Sequence, residues 1–225
     1  MKKTLTALAT AGLLVGATQA AANDLGHGFS WSGNLAFTSN YIFQGMSETE
    51  RRPALQGGFD VAHESGLYVG NWNSAVRFGE ASPEYMEVDV YGGFATDITD
   101  HFGIDFGVIH FFYPGAGGAA EFTEVYGGVT TGYMDLGAAF YIAYETDGDY
   151  MNYQLDLDYA MPMDTFAFAS LGYRDFDDDD VGEDRTYWLL GVGYSYAGLD
   201  FSVAYGDNDY SGNQEQWAFT VGTAF

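Results

Sequence analysis

Side chains that alternate oily and polar with a period of two, over one stretch of roughly ten residues after another, leave this chain few folds to adopt. Trp188, Leu190, Val192, Tyr194 and Tyr196 share one face of such a stretch, and Phe102, Ile104, Phe106, Val108 and Phe112 share a face of another. Phe29, Trp31, Leu35 and Phe37 alternate with Ser30, Ser32, Asn34 and Thr38. About twelve segments of this kind stand near residues 28–38, 54–62, 66–78, 84–95, 101–112, 121–131, 133–144, 150–160, 165–174, 185–196, 198–206 and 215–225. At roughly 9–12 residues they exceed the five or six usual in soluble sheets and suit a tilted strand crossing a bilayer. The ninth leaves its facing open, with either Phe166 and Phe168 or Leu171 and Tyr173 outward.

The polar faces decide which side meets water. Glu87, Asp89, Asp105, Asp135, Asp156, Asp158 and Asp200 stand opposite the oily residues, and Arg77 joins them. The chain has 7 Lys and Arg against 32 Asp and Glu, so a dry core would bury these carboxylates without partners. They must line a wet lumen, with the oily faces outside. Strand centres are aliphatic and strand ends aromatic, as in Tyr153-x-Leu155-x-Leu157-x-Tyr159 and Trp188-x-Leu190-x-Val192-x-Tyr194. With Trp31 and Trp217, these aromatics fit two girdles around a hydrocarbon band. Links alternate in length: short at His63–Ser65, Thr96–Asp100, Met161–Asp164 and Ala197, longer at Ser39–Pro53, Gly79–Pro83, Tyr113–Ala120, Glu145–Asp149, Asp175–Asp184 and Asp207–Gln214. The expected fold is all-β: a transmembrane, antiparallel, up-and-down β-barrel of about twelve strands.

The two ends carry addresses. Lys2 and Lys3 precede an apolar run from Leu5 to Ala17 and the small residues Ala20, Ala21 and Ala22, the pattern of a cleaved signal peptide over residues 1–22. Cleavage after Ala20 is the alternative to Ala22. The expected mature domain, 23–225, is exported to a bacterial outer membrane, and its charge moves from −25 to −27. Without cysteine there is no lipoprotein anchor, disulfide or thiolate metal site. With so few bases nucleic acid is excluded, and an aromatic content of 18% excludes disorder. Phe225 closes the chain on the face shared by Trp217, Phe219 and Val221, which resembles the recognition signal of the outer-membrane assembly machinery.

Three blocks resemble the TorF-like porin family: Tyr41-Ile42-Phe43-Gln44-Gly45-Met46-Ser47, Pro53-Ala54-Leu55-Gln56-Gly57-Gly58-Phe59-Asp60, and Ser65-Gly66-Leu67-Tyr68-Val69-Gly70. Glu87-Val88-Asp89-Val90-Tyr91-Gly92-Gly93 and Tyr113-Pro114-Gly115 are similar to later family features. Gln44 stands where the family usually has Arg or Asn. The resemblance implies an outer-membrane channel and brings no catalytic residue or substrate with it.

The remaining motifs are read for function. Arg51 and Arg52 lie beside Glu48 and Glu50 in the longest loop, which either folds inward to narrow a pore or stays outside with local ion pairs. Asp177, Asp178, Asp179 and Asp180, with Asp175, Glu183 and Asp184, form an acidic loop. Its readings are a solvated loop, a weak calcium site without EF-hand spacing, or a cation bridge to lipopolysaccharide. Tyr85, Tyr91 and Tyr141 are placed on lumen faces. The pairs Glu87/Asp89 and Asp156/Asp158 lack an activated nucleophile, and no two of the four histidines have metal-ligand spacing. No catalytic residue and no cofactor are expected. The function read from these features is passive diffusion of small hydrophilic solutes, favouring cations or zwitterions, in a protein partnered by outer-membrane lipid and lipopolysaccharide. A structural or adhesive barrel with a plugged lumen and binding loops is the alternative.

Overall fold

The computed structural model describes residues 22–79, 84–115, 121–178, 180 and 182–225. The signal segment therefore lies outside the described residues, apart from Ala22. The strands are β1 (Asn23–Gly26), β2 (Phe29–Thr38), β3 (Ile42–Phe43), β4 (Met46–Ser47), β5 (Ala54–His63), β6 (Leu67–Ala75), β7 (Met86–Thr99), β8 (Phe102–Phe112), β9 (Phe122–Tyr133), β10 (Leu136–Glu145), β11 (Tyr150–Met161), β12 (Thr165–Phe176), β13 (Arg185–Tyr196), β14 (Leu199–Asn208) and β15 (Gln216–Ala224). Twelve of them, β2 and β5 through β15, close an antiparallel barrel in which each strand pairs with its sequence neighbours and β2 pairs with both β5 and β15. Closure removes the free edges that would leave backbone amides unpaired.

Two additions escape the period-two pattern because they are short. β1 pairs Asn23 with Trp31 on the edge of β2 that β15 serves further along, from Thr38 to Asn34. Between them Gly33 and Phe225 exchange backbone hydrogen bonds of 2.8 and 2.9 Å, so the last residue fills the seam. β3 and β4 form a two-residue hairpin within the first long loop.

Adjacent residues show the facing most sharply. Leu190 and Val192 are 54% and 58% exposed on the outside, while Leu189, next to Leu190 and facing in, is 6% exposed. Trp31, Tyr153, Tyr159, Trp188, Tyr194 and Trp217 all belong to outward-facing registers. Tyr153, Trp188 and Trp217 stand toward the rim of the long loops, and Trp31, Tyr159 and Tyr194 toward the rim of the short turns. Ring contacts of 5.2 Å between Trp188 and Tyr205, and 4.5 Å between Tyr205 and Trp217, make the first level continuous across three strands.

β12 resolves its open facing in favour of Leu171 and Tyr173 outside. Phe166 and Phe168 point in because their cross-strand partners are Gly193 and Gly191, whose missing side chains leave room for the rings. The inner surface is uneven. On β6 to β10 it carries Trp72, Tyr91, Ile109, Phe111, Tyr126 and Tyr141, all buried in one cluster. On β14, β15 and β2 it carries small residues such as Ser202, Ala204, Ala218, Gly222 and Ala36.

Candidate functional site

The first long loop, residues 39–53, enters the barrel and ties to strands around its circumference. Tyr41 donates from its hydroxyl to Glu87 on β7 at 3.2 Å and packs its ring edge-on against Trp72 on β6, 5.4 Å away. On the far side, Gln44 Nε2 donates to Asn152 on β11 at 3.3 Å, and Asn208 on β14 donates to the Gln44 carbonyl at 2.9 Å. Asn213 donates to the Gly45 carbonyl at 3.1 Å, and Arg185 reaches Met46 Sδ at 3.5 Å. At the root, Asn40 donates to Gln216 and to the Trp217 carbonyl, both at 3.2 Å. A short hairpin explains the reach: Gln44 and Gly45 both have positive φ, 48° and 73°, as a tight two-residue β-turn requires. A side chain on Gly45 would overlap the carbonyl of Asp207.

Below the loop, phenols and carboxylates form a belt. Tyr68 donates to Asp105 Oδ1 at 2.7 Å and shares a 2.5 Å hydroxyl contact with Tyr126. Tyr141 donates to Asp105 Oδ2 at 3.1 Å, and Tyr91 donates to Asp60 at 2.7 Å. Tyr150 donates to Glu124 at 2.6 Å. Tyr68, Tyr91, Tyr141 and Tyr150 each supply a carboxylate with a donor without supplying a positive charge, and Tyr126 donates to the Tyr68 hydroxyl. Asp89 is the exception: it is 0% exposed and receives no phenol or N–H donor, its carboxyl facing that of Glu87 instead.

Glu48 sits in the loop, where burial pushes its pKa up to about 7 against the opposing pull of Arg185 and Arg174. An acid raised by its seat holds that seat most firmly when protonated. Its contribution is complete below about pH 4.5 and is lost as pH rises through about 7. Raising the pH from about 5 to about 8 is therefore expected to loosen the loop, read as a change in Trp72 emission as the Tyr41 contact opens. Glu48→Gln should abolish the step; an unchanged step in that variant would assign it to another group.

A family model for bacterial proteins of unknown function (Gcw_chp) matches residues 21–224. The chain belongs to that family. Among solved structures it is similar to the KdgM porin, with a TM-score of 0.61 and 11% identity over 86% of this chain and 98% of that one. A KdgM porin in complex with disordered oligogalacturonate matches with the same figures. The NanC porin matches at a TM-score of 0.56 and 13% identity over 87% of this chain and 98% of that one. These likenesses show a porin-type fold. No curated protein matches the sequence. Neither the family model nor these structures carry the TorF-like name.

In this Gcw_chp barrel, Glu87, Asp89, Asp105, Asp156, Asp158 and Asp200 all belong to inward registers, as do Tyr91 and Tyr141. Gln154 holds Asp156 with contacts of 3.0 and 2.9 Å, and Ser195 donates to Asp200 at 2.5 Å. Asp135 is a correction: it is exposed in the tight turn between β9 and β10, because Met134, with φ of 57°, turns the chain there. Tyr85 stands exposed at the rim just before β7 begins, its carbonyl accepting from Val76 N–H at 3.1 Å. Arg77 lies past the end of β6 rather than on a wall; it pairs with Glu50 at 2.5 Å, and its backbone N–H donates to the Glu48 carbonyl at 2.7 Å. Arg51 and Arg52 are exposed although their loop turns inward, and Arg51 anchors to Gln216 at 3.2 Å. The residues that the loop carries inside are Tyr41, Ile42, Phe43, Gln44, Met46 and Glu48; Met46 touches Arg185, and Glu48 lies in the field of Arg185 and Arg174, two residues that period-two reading left unmarked.

The acidic loop holds itself. Asp180 N–H donates to Asp178 Oδ1 at 2.9 Å, and Asp177, Asp178 and Asp180 are exposed; Asp179 is outside the described residues. Among the described residues no group of three or more carboxylates and histidines is arranged to hold a metal ion.

Proposed function

We propose that this protein is an outer-membrane, porin-like channel for small hydrophilic solutes, exported by a signal peptide cleaved after Ala22 and narrowed by residues 39–53. The observation that carries the reading is the inversion of a soluble barrel: Leu190 and Val192 are exposed outside, while Glu87, Asp89 and Asp105 face inside. The resemblance of the Tyr41–Ser47 and Pro53–Asp60 blocks to TorF-like porins supports the same reading. So does the porin-type fold. The carboxylates concentrate cations and repel anions, while the inward loop sets the size limit. The small inner residues of β14 and β15 seat the loop, Ile42 packing against Phe168, Leu189, Ala204 and Ala218, so widening the path requires this loop to move. Trp217, Phe219 and Phe225, on the strand that closes the barrel, serve recognition by the assembly machinery in this reading. Lipid and lipopolysaccharide cover the outer belt.

A planar bilayer with a KCl gradient tests the proposal. Stepwise conductance with a cation-favouring reversal potential is expected. Anion selectivity would remove the electrostatic part, and silence would remove the pore. The plugged, adhesive alternative is favoured by one feature, the buried cluster of Trp72, Tyr91, Ile109, Phe111, Tyr126 and Tyr141. Silence together with an intact barrel is its result.

Lipid contact has its own check. Leu190→Arg is expected to cost about 2–4 kcal/mol of barrel stability in vesicles, the cost of a base at mid-bilayer. Asp158→Arg, on an inward register of β11 where the side chain is exposed, should cost less than half of that. Equal costs would contradict the assigned faces.

A further inference from the structure

Arg174 on β12 and Arg185 on β13 are direct cross-strand partners, and both face inward at the long-loop rim. Like charges directly opposite one another destabilise a sheet unless an anion joins them. The anions in place do little. Glu124 Oε1 is 3.8 Å from Arg174 Nη2, too far for a hydrogen bond, and Arg185 Nη1 reaches only the weakly accepting sulfur of Met46, at 3.5 Å. Arg174 Nε and Nη2 and Arg185 Nε are buried with no hydrogen-bond partner, and Arg174 is 7% exposed. Rings hold the two forks in place: the Arg174 guanidinium lies 3.9 Å from the Tyr150 ring centre, and that of Arg185 lies 5.4 Å from Phe176. Two pre-positioned, undersupplied guanidinium forks have the shape and charge that recognise a carboxylate.

We propose that Arg174 and Arg185 form a station for the carboxylate of a zwitterionic or acidic solute, which Glu48 of the seated loop shields until the solute displaces it. The proposal rests on the channel reading and gives it a substrate class. Glu48 is the loop carboxylate within the field of both arginines. Burial holds much of its charge back, so the arginines stay incompletely neutralised from within. The acids of β7, Glu87 and Asp89, lie on another part of the wall at the same rim, buried with Tyr41 of the loop on Glu87, so the loop movement that uncovers the arginines also opens Glu87 to a solute's ammonium group. A zwitterion thus spans the space that the loop bridges between Glu87 and Arg185.

The test titrates full-length mature protein in detergent with sodium succinate at constant ionic strength, sodium chloride replacing it in the control. Trp72 emission reports the Tyr41 contact, and Trp72→Phe shows which part of the signal is its own. Saturable binding is expected for the natural sequence, about tenfold tighter for Glu48→Ala and at least about tenfold weaker for Arg185→Gln, a change of about 1.4 kcal/mol each way. Arg185→Gln leaves the Tyr150 and Glu124 contacts of Arg174 in place, so it remains a folded comparison if Arg174→Gln does not assemble. Equal affinity in Arg185→Gln, or no saturable response in Glu48→Ala, overturns the station. A channel that conducts without any succinate response loses the station alone. Succinate binding by a protein that never conducts loses the channel reading and keeps the station.

Discussion

Gly45→Ala is expected to raise the unitary conductance about twofold or more while leaving the barrel folded. Gly45 has a φ of 73°, and any side chain there meets the Asp207 carbonyl. Left-handed backbone costs an ordinary residue about 1–2 kcal/mol before the clash is counted. The seat of the hairpin is a handful of neutral contacts of 2.9 to 3.3 Å from Asn208, Asn213 and Gln44, each worth about 0.5–1.5 kcal/mol net. One methyl group therefore competes with these polar contacts, leaving Ile42 on Phe168, Leu189, Ala204 and Ala218, and Met46 on Arg185, as the remaining far-side hold. The barrel wall itself does not depend on it, since β2 and β5 pair along their full lengths on either side of the loop. Single-channel recording checks the outcome. Conductance equal to that of the natural sequence, with Trp72 emission already changed, would show that the loop had moved and that it was never the constriction.

Gly58→Ala is expected to act on the wall instead, with the larger effect on folding. A side chain at Gly58 would overlap the carbonyl of Asn71 across the β5–β6 ladder, and backbone on the facing strand cannot swing aside as a side chain does. Over-packing of this kind costs about 1–3 kcal/mol, and Gly58→Val should cost more. The midpoint of urea unfolding in vesicles is the readout, and it should fall for both variants in that order. A midpoint unchanged by Gly58→Val would mean that β5 and β6 are further apart than described. The same contact gives a physical reason for the Pro53–Asp60 block, in which Gly58 lets the strands approach and Asp60 accepts from Tyr91.

The barrel was legible because alternation is a property of single strands. Tyr153 to Tyr159 and Trp188 to Tyr194 state their own facing, and the carboxylates opposite them mark the inner side; that Glu87 and Asp105 are buried there against phenols rather than bathed in water depends on partners from other strands and the loop. What failed depends on more than one strand. Phe166 and Phe168 are as oily as Leu171 and Tyr173; only the register that sets Gly193 and Gly191 beside them turns them inward. Asp135 went astray because a two-residue turn at Met134 interrupts the count of alternate residues. The folded-in loop left a readable trace, since Gln44-Gly45 between Phe43 and Met46 is turn chemistry flanked by apolar residues. Its destination was not readable, because Asn152, Arg185 and Asn208 lie more than a hundred residues away in sequence. Arg174 and Arg185 escaped for the same reason: each ends a strand unremarkably, and only closure of the β12–β13 ladder sets them side by side.

Everything depends on acyl chains touching the residues that point away from the barrel axis, and nothing tests that more directly than quenching by brominated lipids. Four variants, each keeping one of Trp31, Trp72, Trp188 and Trp217, are reconstituted into vesicles whose acyl chains carry bromine. Emission from Trp31, Trp188 and Trp217 should be strongly reduced, and that from Trp72, behind the wall against Tyr41, should persist. Quenching of Trp72 as deep as that of Trp188 and Trp217, or no quenching of any of the four, would contradict the account.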